Sequence, residues 1–251
     1  MTSHAIGIDV GGTGIKGALV DISEGLLVSD RIKYPTPPGA TPEDVANIIE
    51  AILADLGRDA DGLPLGVCVP AVVKAGVTTT AANISPRWID FPAESFLEQK
   101  LARNIVFLND ADAAGVAEAH YGVAQGVPGL VIVTTLGTGI GSALIYDGQL
   151  LPNSELGHLE LDGSVVETTT SRLAAEQAGL DFAQWAARLE RFYRHLIRLF
   201  SPDLIVVGGG VSKQAEQFLP LITIPVPLVP ATLRNNAGIQ GAAFLAATTR
   251  G

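Results

Sequence analysis

Apolar and polar positions along this chain fall into two successive sets of strands and helices. Ala5–Val10 and Ile15–Ile22 are β-rich runs separated by a glycine-rich turn, and a further extended piece follows near Leu26–Tyr34. Thr41-Pro-Glu-Asp44 opens a helical periodicity through about Leu56, with Thr41 as N-cap and Pro42 at the first helical position. Leu65–Val73 predicts a buried strand, Glu94–Ala102 a short helix, Asn104–Leu108 another strand and Asp110–Tyr121 an alanine-rich helix. The pattern then restarts with an apolar strand at Leu130–Leu136, a Gly/Thr turn and a second strand at Ser142–Tyr146. Helical stretches at Thr170–Gln177 and Phe182–Phe200 precede a strand at Asp203–Val207. Short strands and proline-rich turns fill Leu219–Pro230, and Ala237–Ala247 closes the chain as a helix.

Hairpins plus helices in two sets predict two α/β domains rather than one doubly wound sheet. The expected division is a smaller domain of residues 1–108 plus the C-terminal helix of about 237–251, and a larger one of residues 109–236. The halves share a device: strand–Gly11-Gly12-Thr13–strand recurs as strand–Gly137-Thr138-Gly139–strand. Either copy alone is an ordinary hairpin. Two copies suggest nests of backbone N–H groups, open to phosphate oxygens because glycine has no Cβ, with a threonine hydroxyl as a further donor. Gly12-Thr-Gly-Ile-Lys-Gly17 formally satisfies the dinucleotide-binding spacing, but Ala18–Ile22 alternates like a strand where that motif needs a helix. A Walker A sequence is absent.

Composition narrows the class. The chain has 251 residues, 47% hydrophobic and 17% charged, enough for a substantial core. No apolar run reaches the ~18 residues of a spanning helix, and the first residues lack the basic and cleavage features of a signal peptide. The single Cys68 lies in an apolar run and reads as a buried structural thiol. These features together predict a cytoplasmic protein with no membrane association. A formal net charge of −10 argues against a general nucleic-acid or anionic-membrane binder, although a local cradle of amides and cations can still hold an anion.

Several residues are suited to phosphate and sugar chemistry. Asp9 closes the first strand before the glycine turn, where a carboxylate can hold Mg²⁺ directly or through water; the alternative is a turn-forming Asp. Lys16 lies within reach of the same turn. Asn109-Asp-Ala-Asp112 follows a strand and opens a helix, so Asp110 is placed to take a proton from an attacking hydroxyl, or merely to cap the helix. Asp112 is an alternative early-helix carboxylate. Glu155, His158 and Glu167 form a third cluster whose donors and acceptors suit sugar hydroxyls. Asn83 and Trp88 can add a hydrogen bond and an apolar surface, though Trp88 also reads as core. With four histidines, one cysteine and no ligand-like spacing, zinc is not expected. Arg188, Arg191, Arg194, His195 and Arg198 fall within an arc of about 120° on the helix Phe182–Phe200, opposite Leu189, Phe192, Leu196 and Leu199. That stripe is either a solvated face or a path for a long polyanion.

Asp9-Val-Gly-Gly-Thr-Gly-Ile-Lys16, Leu108-Asn-Asp-Ala-Asp112, Leu136-Gly-Thr-Gly-Ile-Gly141, Glu155-Leu-Gly-His158 and Val207-Gly-Gly-Gly-Val211 occur in the order expected of ROK-type sugar kinases. The chain resembles that family over nearly its whole length, and Pro152–His158 and Leu204–Lys213 look closer still to its polyphosphate-using glucokinases and glucomannokinases. The resemblance implies an α/β, actin/hexokinase-like (ribonuclease H-like) two-domain fold with an active-site cleft between the domains. It implies a Mg²⁺-dependent enzyme that phosphorylates the 6-hydroxyl of glucose from inorganic polyphosphate, leaving open whether ATP and mannose are also used. Carried over residue by residue, Asp110 matches the general base, and Asn83, Asn109, Asp110, Glu155, His158 and Glu167 match sugar-binding positions. Gly11, Gly12, Thr13 and Lys16 with Gly137, Thr138 and Gly139 match the phosphate loops, Gly208, Gly209 and Gly210 the loop beside a nucleotide, and Asp9 the metal position. A homodimer and closure on glucose are also implied.

Departures from the family pattern bear on these roles. Many members carry a cysteine-rich zinc site after the glutamate–histidine motif; Leu159–Val166 has no cysteine, so His158 is expected to face sugar. Many place lysine directly after the first-turn threonine, whereas Gly14 stands here and Lys16 follows. Pro70-Ala71 stands where Pro-Gly is commoner. The alternatives are an ATP-only hexokinase and a non-catalytic sugar-binding regulator. The regulators add an N-terminal DNA-binding domain, for which a first strand at Ala5 leaves no room, and nucleic acid is not an expected partner.

Overall fold

The structure, a computed structural model, describes residues 3–82 and 84–249. In chain order the elements are β1 His4–Gly11, β2 Gly14–Asp21, β3 Ile32–Tyr34, α1 Pro42–Leu56, β4 Leu65–Val69, β5 Val73–Lys74, β6 Val77–Thr78, α2 Ala93–Leu101, β7 Val106–Asn109 and α3 Asp110–Tyr121. They continue with β8 Leu130–Leu136, β9 Ile140–Tyr146, β10 Gln149–Leu151, β11 Glu160–Leu161, β12 Ser164–Val165, α4 Val166–Thr170, α5 Arg172–Gln177, α6 Phe182–Phe200, β13 Leu204–Gly208, α7 Ala215–Phe218, β14 Leu228–Pro230 and α8 Ala237–Thr248. Two compact units divide the chain, residues 1–113 with 236–251 and residues 114–235. The first division falls inside α3, so Asn109 and Asp110 belong to the first unit, a few residues past the boundary that the sequence pattern suggests.

Each unit is built on a five-stranded sheet, ordered β3-β2-β1-β4-β7 in the first and β10-β9-β8-β13-β14 in the second. The two orders are the same design. An opening hairpin (β1–β2, β8–β9) is extended by a short antiparallel strand on one side and by two parallel strands on the other. Both glycine turns therefore close the first hairpin of their sheets.

In the first unit α1 lays Val45, Ala46, Ile49 and Ile52 into a core with Ile6, Ile8 and Val67. Its start follows local chemistry: the Thr41 hydroxyl accepts from the Asp44 N–H while the Asp44 carboxylate accepts from Thr41, with Pro42 first in the helix. On the opposite face α8 comes down to bare backbone. A Cβ on Gly7 would stand 1.9 Å from the Ile239 carbonyl oxygen, and one on Gly66 2.0 Å from that of Ala242. In the second unit α6 buries Trp185, Leu189, Phe192, Tyr193 and Leu196 against Ile132, Ile205 and Val207. Each fully buried aromatic of this kind contributes roughly 1.5–3 kcal/mol. The polar atoms of these rings are satisfied: Trp185 Nε1 donates to the Thr170 carbonyl at 2.8 Å, and the Tyr193 and Thr134 hydroxyls lie 3.0 Å apart. Burial pushes the Tyr193 phenol well above its ordinary pKa.

Two sequence-based elements are divided in the structure, and a third region holds less strand than expected. Leu65–Val73 stops at Val69 because Pro70 cannot donate to the ladder, and Val73 joins a separate hairpin turned by Ala75 and Gly76, both at positive φ. Thr170–Gln177 is broken at Ser171, whose extended backbone and hydroxyl cap α5. Leu219–Pro230 holds one strand, preceded by a single turn of 3₁₀ helix. Among the described residues no helix is long and apolar enough to cross a membrane.

Candidate active site

In the first unit the chemistry gathers at the C-terminal ends of β1, β4 and β7. Asp9 pairs in register with Lys16 on β2 and with Cys68 on β4. Lys16 Nζ lies 3.0 Å from Asp9 Oδ2, with both side chains mostly buried. Oδ1 of the same carboxylate sits 3.9 Å from Cys68 Sγ. Burial, with the Asp9 and Asp110 carboxylates nearby, pushes the Cys68 thiol well above its ordinary pKa, so it stays protonated and inert. Beyond Asp9, Gly12 and Thr13 are exposed at the turn, and the Thr36 hydroxyl donates to the Gly11 carbonyl.

Asn109 and Asp110 divide the work at the start of α3. Asn109 Oδ1 accepts from the N–H groups of Ala111 (2.8 Å) and Asp112 (3.1 Å), while Nδ2 donates to the Ala71 carbonyl at 3.1 Å. The helix cap is thus Asn109, and Asp110 is the first helical residue. Both lone pairs of the Asn109 oxygen are occupied; one amide N–H is left for a ligand. Asp112, 1% exposed, is an interior residue of α3.

In the second unit Glu155, His158 and Glu167 come together. His158 Nε2 is 3.3 Å from Glu167 Oε1 and Nδ1 is 3.9 Å from Glu155 Oε2. The other Glu167 oxygen accepts from the Ile140 N–H at 3.2 Å, at the end of the second glycine turn. A Cβ on Gly139 would stand 2.6 Å from that oxygen, so glycine allows the turn to close onto the carboxylate. Burial, followed by the neighbouring Glu167 charge, raises the Glu155 pKa, and His158 opposes the shift in part. Gly208 pairs with Thr135 on β8, which sets Gly208–Gly210 beside the second turn, and Gly209 adopts φ 82° against the Leu136 backbone.

Other sequence candidates fall elsewhere. Trp88 is fully buried and donates to the Ala40 carbonyl at 2.9 Å, a core role. Asn83 lies outside the described residues. The arginine stripe is largely spent on local contacts: Arg188 on the Thr169 carbonyl, Arg191 on Asp162 at 2.5 Å, and Arg194 on Glu190 and the Thr223 carbonyl. Leu199, assigned to the apolar side, is 52% exposed. Sequence reasoning missed Thr36 as a brace for the first turn and Cys68 as the neighbour of Asp9. Neither carries a local signal, since Thr36 meets Gly11 from the loop after β3 and Cys68 meets Asp9 through sheet register.

Among the described residues no group of three or more His, Cys, Asp or Glu side chains is arranged to hold a metal ion. Mg²⁺ needs no such cage, since it commonly binds one or two carboxylates and completes its shell with phosphate and water. Asp9 fits that mode through water, because Lys16 already occupies its Oδ2.

A duplicated sheet with a glycine turn at the same place in each copy, a strand-end carboxylate in one unit and a carboxylate–imidazole cluster in the other define a sugar phosphotransferase of hexokinase-like fold. Residues 5–171 match the ROK family model, and the chain belongs to that family. It is 44% identical over 242 residues to the polyphosphate glucokinase of Mycobacterium tuberculosis (strain CDC 1551 / Oshkosh), covering 96% of this chain and 90% of that one. It superposes with a TM-score of 0.93, at 48% identity, on the inorganic polyphosphate/ATP-glucomannokinase from Arthrobacter sp. strain KM, covering 98% of this chain and 99% of that one. A ROK family glucokinase from Streptomyces griseus, in complex with glucose and AMPPNP, matches with a TM-score of 0.82 at 26% identity over 98% of this chain and all of that one.

Proposed function

We propose that this chain is a Mg²⁺-dependent glucokinase that transfers a phosphoryl group from inorganic polyphosphate, and from ATP, to the 6-hydroxyl of glucose, with mannose as a second acceptor. The observation that carries the reading is the Glu155–His158–Glu167 cluster tied directly to a glycine turn through the Ile140 N–H: a sugar-type polar cluster and a phosphate-type loop share one carboxylate. Identity to polyphosphate glucokinases over nearly the whole chain supports the same donor.

In this mechanism Asp110 accepts the proton of the 6-hydroxyl as that oxygen attacks the terminal phosphorus of the donor. The bond from that phosphorus to its bridging oxygen breaks, and the shortened polyphosphate, or ADP, leaves with the negative charge. Glu155, His158 and Glu167 orient the ring hydroxyls, with Asn109 offering its remaining amide N–H. The N–H groups of the two glycine turns, Thr13, Thr138 and Lys16 oppose the phosphate charge. Gly208–Gly210 lies beside the nucleoside when ATP is the donor. Mg²⁺, when bound near Asp9, offsets the charge that builds on the phosphate oxygens.

The test is donor-resolved kinetics with Mg²⁺, either polyphosphate or ATP, and glucose or mannose, detecting the 6-phosphate. Turnover with polyphosphate is expected. Turnover with ATP alone would make the protein an ATP-only hexokinase, and none with any pair would overturn the reading. The same preparation, examined by light scattering, is expected to be a homodimer.

A further inference from the structure

One cation beside the first glycine turn, Lys33, has no partner among the described residues. Asp9, Lys16 and Lys33 occupy a single cross-strand row, Asp9 opposite Lys16 and Lys16 opposite Lys33. Directly opposed residues project from the same face of a sheet, so the row presents one carboxylate and two ammonium groups on one side. Lys16 takes the carboxylate at 3.0 Å. Lys33 is exposed, and no acceptor for it occurs among the described residues. Like charges at opposed positions repel, and an edge-strand lysine with nothing to bind would be expected to swing into solvent.

The Lys33 stem instead lies over the backbone beside the turn. Its Cε is 2.6 Å, and its Cδ 3.6 Å, from the point where a Cβ on Gly14 would stand. Gly14 closes the turn, paired in register with Gly11. The absence of a side chain at position 14 is what lets the methylenes cross there. The ammonium is one bond beyond Cε, which lies against Gly14 at the end of the turn.

We infer that Lys33 is a donor-binding residue, its ammonium taking a phosphate of the donor at the first turn alongside Thr13. The inference rests on the proposed role of that turn in holding donor phosphate. An anion there completes the row, which otherwise holds two positive charges against one negative. Lys33 has no part in the proton transfer or in sugar recognition, so its removal acts on the donor side alone.

Lys33→Met keeps the stem over Gly14 and removes the charge; Lys33→Arg keeps the charge. Losing one charge-assisted contact is expected to raise the KM for polyphosphate and for ATP about tenfold, with the KM for glucose and kcat unchanged. The loss should shrink as salt is added, because the wild type has more screened attraction to lose. Lys33→Arg should recover most of the affinity. Gly14→Ala, whose Cβ displaces the stem, should reproduce the donor-side loss with Lys33 intact. Calorimetry with tripolyphosphate reads the same contact without turnover, and Lys33→Met should bind about tenfold more weakly. Equal tripolyphosphate affinity in wild type and Lys33→Met, or no tripolyphosphate binding by the wild type, overturns the assignment. A wild type that binds tripolyphosphate through Lys33 but phosphorylates no sugar would leave the assignment standing and sink the proposed activity.

Discussion

Glu167 offers a test that separates the sugar side from the donor side within one residue. Its Oε1 faces His158 Nε2 at 3.3 Å, and its Oε2 accepts from the Ile140 N–H at 3.2 Å with Gly139 packed against it. A hydrogen bond to a charged group is worth about 1.5–3 kcal/mol when shielded. This carboxylate is 30% exposed, so water can stand in for part of the loss and about 1 kcal/mol is the sounder figure. That corresponds to about a fivefold change in affinity for whatever the turn holds. Glu167→Ala removes both links, and the KM values for donor and glucose should each rise about fivefold or more. Glu167→Gln divides them, because its one oxygen must face the Ile140 N–H, where an amide N–H would clash with another donor. The turn then keeps its anchor and His158 loses its carboxylate, so the glucose KM rises while the donor KM stays near wild type. Steady-state kinetics with each substrate varied in turn would read both constants. A donor KM unmoved in Glu167→Ala would refute the idea that this residue holds the turn.

Asp110→Asn should lower kcat by about 10²–10⁴ while calorimetry still detects glucose, since an amide keeps hydrogen bonds but takes no proton; unchanged turnover would remove Asp110 from the mechanism. The raised Glu155 pKa predicts that glucose affinity falls with decreasing pH at values above the ordinary carboxylate range, and that Glu155→Gln abolishes that limb of the profile. For stability the sign is opposite to a salt-bridged acid: the Glu155 contribution is present below the ordinary carboxylate pKa and is lost as pH rises through the raised one, which urea melts across that window would detect. Glu118, 1% exposed, accepts from the N–H groups of Val123 (3.0 Å) and Leu233 (2.9 Å) and from the Thr232 hydroxyl (3.1 Å). Glu118→Ala should therefore cost about 3–5 kcal/mol of unfolding free energy, and an unshifted denaturation midpoint would contradict that clamp.

Much of the fold was legible because its signals are local. The start of α1 follows from Thr41, Pro42 and Asp44, all within four residues, and the strands of both hairpins from β-rich apolar runs around glycine. Where expectation and structure part, the deciding fact is also small but not periodic: Pro70 ends β4, and Ser171 switches one helix into two. The arginine stripe was legible as a face, but its local partners were not. Periodicity reports where the guanidinium groups point, but not that Asp162, Glu190 and the carbonyls of Thr169 and Thr223 wait for three of them.

The site divides along the same line. The side chains proposed to touch substrate sit in short motifs and were found as such, including Asp110 at the end of a strand and the Glu155–His158 pair. What supports them was hidden, because every brace joins residues far apart in the chain: Thr36 to Gly11 across 25 positions, Ile140 to Glu167 across 27, Cys68 to Asp9 across 59. Such contacts depend on the loop after β3 and on α4 as well as on sheet register, and sequence pattern constrains these only weakly. Asn109 and Asp110 show the limit at its sharpest. Both are adjacent polar residues before a helix, each able to cap it, and only the backbone decides that Asn109 takes the cap. That assignment relieves Asp110 of the capping role, so the catalytic role proposed for one residue depends on the structural role of its neighbour.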